Sequence, residues 1–155
     1  MRELEIVAKI KICAYKDLGE DVKNLIDAAK LACKSAYAPY SSFRVGAAVL
    51  LADGRVVTGN NQENVAYPSG ICAERTALFY ANAQYPEVAP TMIVIAAHTC
   101  DGFVKRAISP CGSCRQVLSE AERRYNHPIR VVLYGEDEVL VIDSASTLLP
   151  LAFSF

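Results

Sequence analysis

Cys72-Ala73-Glu74 stands in one segment of this chain, and Pro110-Cys111-Gly112-Ser113-Cys114 follows about forty residues later. A fold that uses these residues together must bring two distant stretches to one point. Three thiols can give a zinc ion three of its four ligands and leave one position for water, the pattern of a catalytic rather than a structural site. Bound zinc lowers the pKa of a coordinated water to about 7, so a nucleophile becomes available at neutral pH. Glu74, two residues after the first thiol, is placed to move protons without binding metal.

The remaining sequence has to build that junction. Asp21 onward carries Val22, Leu25, Ile26, Ala29, Ala32 and Cys33, the spacing of one helix face. Tyr37 to Ser42 reads as a loop, because Pro39 disfavours helix at the residue before it. Phe43–Ala52, the Asp53-Gly54 turn and Arg55–Thr58 predict an antiparallel hairpin. A polar segment, Gly59 to Gly70, leads to Cys72, and a helix is predicted over Ala73–Ala83. Met92–Ala97 is wholly apolar, as in a strand covered on both faces. Gly112–Tyr125 predicts a helix with Val117, Leu118 and Ala121 inward. Arg130–Leu133 and Val139–Ile142 read as strands, and residues 146–150 as one last helical turn.

Residues 5–13 alternate imperfectly and are rich in β-branched types, which favours a strand. The order predicts a single α/β domain over residues 1–155: three layers, with a mixed central sheet of about five strands and helices on both faces. Residues 1–17 read as an N-terminal extension with room for an extra strand. Cys72 and Cys111 both fall where a helix begins. Each thiolate then meets unpaired backbone N–H groups and the positive helix end, worth roughly 0.3–1 kcal/mol apiece.

The six cysteines of this 155-residue chain could instead form disulfides. The start, Met1-Arg2-Glu3-Leu4-Glu5, has no apolar stretch ending in a small-residue cleavage site. The longest apolar runs fall short of the ~20 residues of a membrane span. The expectation is a cytoplasmic, reducing location, where clustered cysteines bind metal more often than they pair. A formal net charge of −1 offers no electrostatic footprint for a nucleic acid polymer, and no membrane partner is indicated.

Four ordered blocks resemble the small zinc-dependent cytidine deaminases that act on free nucleosides. Ala38-Pro39-Tyr40-Ser41-Ser42-Phe43-Arg44-Val45-Gly46-Ala47-Ala48 resembles that family's first block, and Asn61-Gln62-Glu63-Asn64-Val65-Ala66-Tyr67 its ribose-binding block. Cys72 to Ala77 and Pro110 to Gln116 match its two zinc blocks, and Leu148 to Phe153 resembles its usual ending. The likeness spans about residues 20 to 153.

The resemblance implies hydrolytic deamination of cytidine and 2′-deoxycytidine, with one zinc ion per chain on Cys72, Cys111 and Cys114 and with Glu74 as the catalytic acid and base. It implies that Phe43 packs on the pyrimidine, that Asn61, Glu63, Asn64 and Tyr67 bind the nucleoside, and that backbone near Ala73 orients the exocyclic nitrogen. Phe153 would reach a neighbouring subunit's pocket in a homotetramer. Arg75 has its own electrostatic logic. Three thiolates on a divalent ion sum to −1, and a guanidinium beside Cys72 would draw electron density off sulfur.

Competing readings attach to several of these residues. A closed structural zinc site would need Cys100 or His98 as fourth ligand. Phe43 could be ordinary core, and Asn61, Glu63 and Asn64 could be turn residues. Cys13 and Cys33 read as small buried hydrophobes, His127 as a loop residue and His98 as a core or strand-end residue. A different aminopyrimidine, a polynucleotide base, or an inactive zinc scaffold are the rival functions. Near-neutral charge argues against the second and intact Glu74 against the third.

Overall fold

The computed structural model describes residues 1–153; residues 154 and 155, the end of the expected domain, lie outside the described residues. Its elements run β1 (Lys11–Cys13), α1 (Glu20–Ala32), β2 (Arg44–Leu51), β3 (Val56–Asn60), α2 (Ala73–Gln84), β4 (Pro90–Thr99), β5 (Gly102–Phe103), α3 (Gly112–Tyr125), β6 (Arg130–Tyr134) and β7 (Val139–Ile142). The path across the sheet is β1-β7-β6-β4-β2-β3, with β5 beside β4. Among the named strands of the described residues, only β4 and β6 pair in parallel. A helix, α3, connects them, as a parallel crossover requires.

Three layers follow from two faces of apolar side chains. Ile93 and Ile95 of β4 face α2 and α3 in a core with Ala77, Leu78, Leu118 and Ala121. Met92, Val94 and Ala96 face α1 with Val22, Leu25, Ile26 and Ala29. The continuous apolar run of β4 is therefore covered on both sides. Gly59 sets how closely α2 approaches: a Cβ there would sit 2.4 Å from the Ala77 nitrogen. No side chain fits between β3 and the first turns of α2.

The sheet has seven strands rather than about five. Two short strands at its margins account for the difference. Lys11–Cys13 lies antiparallel to β7, and Gly102–Phe103 caps the end of β4. The strand expected over residues 5–13 is confined to 11–13, because β7 ends at Ile142 and offers no ladder to residues farther back. β4 extends past the expected 92–97 at both ends, and the last helical turn is a 3₁₀ turn at Ala145–Leu148. Cys33 is buried as expected, whereas Cys13 on the edge strand is only half-buried. No helix of the described residues is long and apolar enough to cross a membrane.

Candidate metal centre and substrate cleft

Cys72 and Cys111 are the N-cap residues of α2 and α3, each with extended backbone angles. Cys114 lies in the first turn of α3 and is buried. The two helix starts converge, so Cys72 Sγ stands 3.8 Å from Cys111 Sγ, and Cys111 Sγ 3.5 Å from Cys114 Sγ. With Zn–S bonds of about 2.3 Å, sulfurs at tetrahedral corners lie about 3.8 Å apart. The spacing fits one zinc ion, and the donor set leaves a corner open. Among the described residues this is the cluster that could hold a metal. His98 and Cys100 line a separate cavity with Arg44, so neither completes a closed site.

The thiols share protons and charge. A hydrogen bond from Cys114, followed by one from Arg75, lowers the Cys72 thiol to about 5 against the pull of burial. Cys114 is shifted the other way by the same hydrogen bond and by burial. The cluster thus already favours a thiolate, the ligand form. Arg75 Nη2 lies 3.9 Å from Cys72 Sγ, and that thiolate raises the guanidinium's own pKa. Burial raises the carboxyl of Glu74, which is 6% exposed, and the charge of Cys72 adds to the shift. A carboxyl moved up from its ordinary range is suited to proton transfer near neutrality.

A cleft of about 550 Å³ opens beside Cys72. Asn61, Glu63, Asn64, Tyr67, Cys72 and Arg75 line it, with Tyr40, Ser41, Gln62, Gly70 and Ile71. The isolated chain leaves Phe43, Ala73, Glu74 and Phe153 off this lining. Phe43 is half-buried, Ala73 and Glu74 are buried in the first turn of α2, and Phe153 is exposed. The Phe153 carbonyl accepts a hydrogen bond from Gln116 Nε2 at 3.1 Å.

Several cleft residues have structural bonds that the sequence did not reveal. Asn61 Nδ2 donates to the Phe43 carbonyl at 2.9 Å, and Asn61 Oδ1 accepts from Val45 N–H at 2.7 Å. One amide proton and one lone pair remain for another partner. Glu63 accepts from Tyr40 N–H at 2.9 Å, from Ser41 N–H and from the Ser41 hydroxyl. The Ser41 hydroxyl, ahead of the backbone bonds, lowers the Glu63 carboxyl, keeping it ionised and pointed. Asn64 Oδ1 accepts from Ala66 N–H at 2.9 Å, an Asx turn, so its turn role is real.

Two residues missed by sequence reasoning hold the centre in place. Arg115 Nε donates to the Pro110 carbonyl at 2.9 Å and its Nη1 to the Leu148 carbonyl at 3.1 Å, tying the Cys111 loop to the C-terminal turn. Glu122 is buried in α3 and accepts from the N–H groups of Ile129, Ala145 and Ser146 and from the hydroxyls of Ser144 and Ser146. Only the Ser/Thr-rich stretch after β7 hinted at this knot.

The comparisons agree with this geometry. The model of the cytidine and deoxycytidylate deaminase zinc-binding region matches residues 20–127. A cytidine deaminase of Halalkalibacterium halodurans is 48% identical over 100 residues, covering 64% of this chain and 71% of that one. One of Mycobacterium tuberculosis is 43% identical over 108 residues, covering 68% and 77%. The crystal structure of a cytidine deaminase from Burkholderia pseudomallei superposes with a TM-score of 0.71 at 44% identity, over 84% of this chain and 98% of that one. That of the Mycobacterium tuberculosis enzyme gives 0.69 at 32% identity, over 88% and 100%. The fold is that of the deaminases that carry this zinc-binding region, and the cluster of three thiols fits a zinc ion. The chain belongs to the cytidine and deoxycytidylate deaminase family.

Proposed function

We propose that this protein hydrolyses cytidine to uridine and ammonia, and takes 2′-deoxycytidine in the same cleft. Relatives named cytidine deaminase at up to 48% identity support the reaction. The observation that carries it to these residues is the convergence of Cys72, Cys111 and Cys114 beside buried Glu74. The thiols would hold one zinc ion per chain, which supplies a Lewis acid that activates water.

The chain's own groups then do the following. Glu74 accepts a proton from the attacking water as it adds to C4. It protonates ring N3 while C4 becomes tetrahedral, then takes the proton of the new C4 hydroxyl and passes it to the departing amine, leaving the C4 carbonyl and ammonia. Phe43 packs on the pyrimidine, and backbone near Ala73 and Cys111 orients the exocyclic nitrogen. Asn61 and Glu63 receive the ribose hydroxyls, with Asn64 and Tyr67 closing that end. Ser41 keeps the Glu63 carboxylate ionised and aimed into the cleft.

The rest of the reading concerns context. Exposed Tyr37, Tyr40, Val65 and Tyr67 around the cleft suit burial by neighbouring subunits in a homotetramer, with Phe153 entering an adjacent pocket. Residues 1–155 form one domain. Thiol ligands suit a reducing cytoplasm, where the protein would recover pyrimidines from free nucleosides. The test is the fall in ultraviolet absorbance of cytidine on incubation with the zinc-loaded protein. Stoichiometric ammonia should accompany it. No absorbance change at substrate-level protein concentration would overturn the proposal.

A further inference from the structure

Residues 1–10 form an arm outside any helix or strand. All ten residues are exposed, and among the described residues no hydrogen bond or ion pair joins them to the body of the chain. Yet the arm is patterned as a strand. Leu4, Ile6, Ala8, Ile10 and Ile12 alternate with Glu3, Glu5, Val7, Lys9 and Lys11. The aliphatic set is open to solvent, with Leu4 76%, Ile6 49%, Ile10 46% and Ile12 67% exposed. The arm leads into β1, the outermost strand on its side of the sheet. The outer edge of β1 therefore presents backbone N–H and C=O groups that no neighbouring strand meets, a template for an added strand.

We propose that two copies of this chain exchange these arms as antiparallel strands centred on Val7, each arm running on along the outer edge of the other copy's β1.

The register comes from charge and face. An antiparallel pairing about Val7 sets Glu3 opposite the partner's Lys11 and Glu5 opposite the partner's Lys9. By symmetry that makes four opposite-charge pairs. Leu4 falls opposite the partner's Ile10 and Ile6 opposite the partner's Ala8, so one face is aliphatic from residue 4 to residue 10, with Arg2 beyond it opposite the partner's Ile12. A slip of one residue would put charges among the aliphatic side chains. A slip of two residues would halve the number of charge pairs. An in-register parallel pairing would set Glu against Glu and Lys against Lys, which is destabilising.

The same register places residues 1–3 of one arm beside Lys11–Cys13 of the other copy, so the exposed edge of β1 receives its missing ladder. Lys11 is already held 2.7 Å from Asp143 on the β7 side. The partner's Glu3 would approach that ammonium from the other side, extending a chain of alternating charge. The arm belongs to the β1 end of the sheet, whereas the cleft follows β3 at the other end. Arm exchange and deamination are therefore separable by experiment.

The test uses the purified, zinc-loaded full chain. Val7→Cys, directly opposite its own copy, should give a disulfide-linked pair of chains under mild oxidation, well above the parent with its native thiols. Glu5→Cys mixed with Lys9→Cys should cross-link far better than either alone. Adding Glu5→Lys to Val7→Cys sets like charges opposite at two places and should slow cross-linking about tenfold. Adding Lys9→Glu as well should restore it. Deaminase turnover should stay at the parent level in all of these variants. Val7→Cys cross-linking no faster than the parent would overturn the proposal, and would fit an arm folded on its own chain. Glu5→Cys linking to itself as readily as to Lys9→Cys, or indifference to Glu5→Lys, would also overturn it.

Discussion

Arg75 holds its Nη2 3.9 Å from Cys72 Sγ, one helical turn into α2 from the cysteine that caps it. The contact joins the charge balance of the thiol centre to the floor of the cleft, because both residues line it. A guanidinium there offsets the excess negative charge of three thiolates. Its Nε is buried without a hydrogen-bond partner in the isolated chain. Arg75→Gln should lower turnover or zinc affinity about 10–100-fold, the usual effect of losing a residue that tunes a metal ligand. The acidic limb of the pH–rate profile should move to higher pH. Equal rate, zinc retention and profile in the variant would reduce Arg75 to packing.

Glu74→Gln keeps the volume of the side chain and removes its proton exchange. Zinc content and fold should be retained, while turnover should fall by at least about 10²–10⁴. Burial has raised the carboxyl of Glu74, so its ionised form is disfavoured in the folded state. The neutral amide should therefore unfold no earlier than the parent at pH 8 in a thermal melt. Activity within tenfold of the parent would remove Glu74 from the proton path.

Glu122 is the structural counterpart of Glu74 on α3. Glu122→Ala would orphan the buried Ile129 N–H and leave Ala145 N–H with the Ile129 carbonyl alone, at a cost of roughly 1–3 kcal/mol for the orphaned group. For a domain of this size that corresponds to a Tm lower by about 2–12 °C. The Ser144–Ser146 turn leads to Leu148, whose carbonyl is bonded to Arg115. Zinc retention under chelator challenge should therefore weaken as well. A melt within about 2 °C of the parent would count against the knot.

The chemistry was legible where it depended on residue type and local position. Cys72 and Cys111 stood before helical patterns, and the helices do begin there. The apolar run of β4 announced its burial on both faces. What remained hidden depended on residues meeting across the fold. Nothing near Glu122 in the chain shows that residues 144–146 return to α3, and nothing near Glu63 shows that Ser41, across a turn and a hairpin, will hold it. The arm is the converse case: its strand pattern was readable, but its own sheet offers no neighbour beyond Lys11.

Ser41 and Glu63 are joined at the wall of the cleft, and in the proposed reaction this pair selects the substrate. Glu63 is aimed into the cleft and kept ionised by the Ser41 hydroxyl and two backbone N–H groups. It should require a nucleoside with a free 3′-hydroxyl as donor. A site built to hydrogen-bond a hydroxyl rejects an analogue lacking it by roughly 10⁴–10⁵, so free cytosine should be a very poor substrate. Cytidine 3′-phosphate would set negative charge against the carboxylate and should be almost untouched, as should single-stranded DNA. Glu63→Ala should lower kcat/KM for cytidine and narrow its advantage over cytosine. Ser41→Ala leaves the carboxylate but removes the largest cause of its lowered pKa. A depressed carboxyl loses its charge only when pH falls through its folded value. In Ser41→Ala that value rises, so the acid-side loss of kcat/KM for cytidine should begin at a higher pH than in the parent. Efficient turnover of cytosine, or identical acid limbs in parent and Ser41→Ala, would show that this pair only shapes the loop.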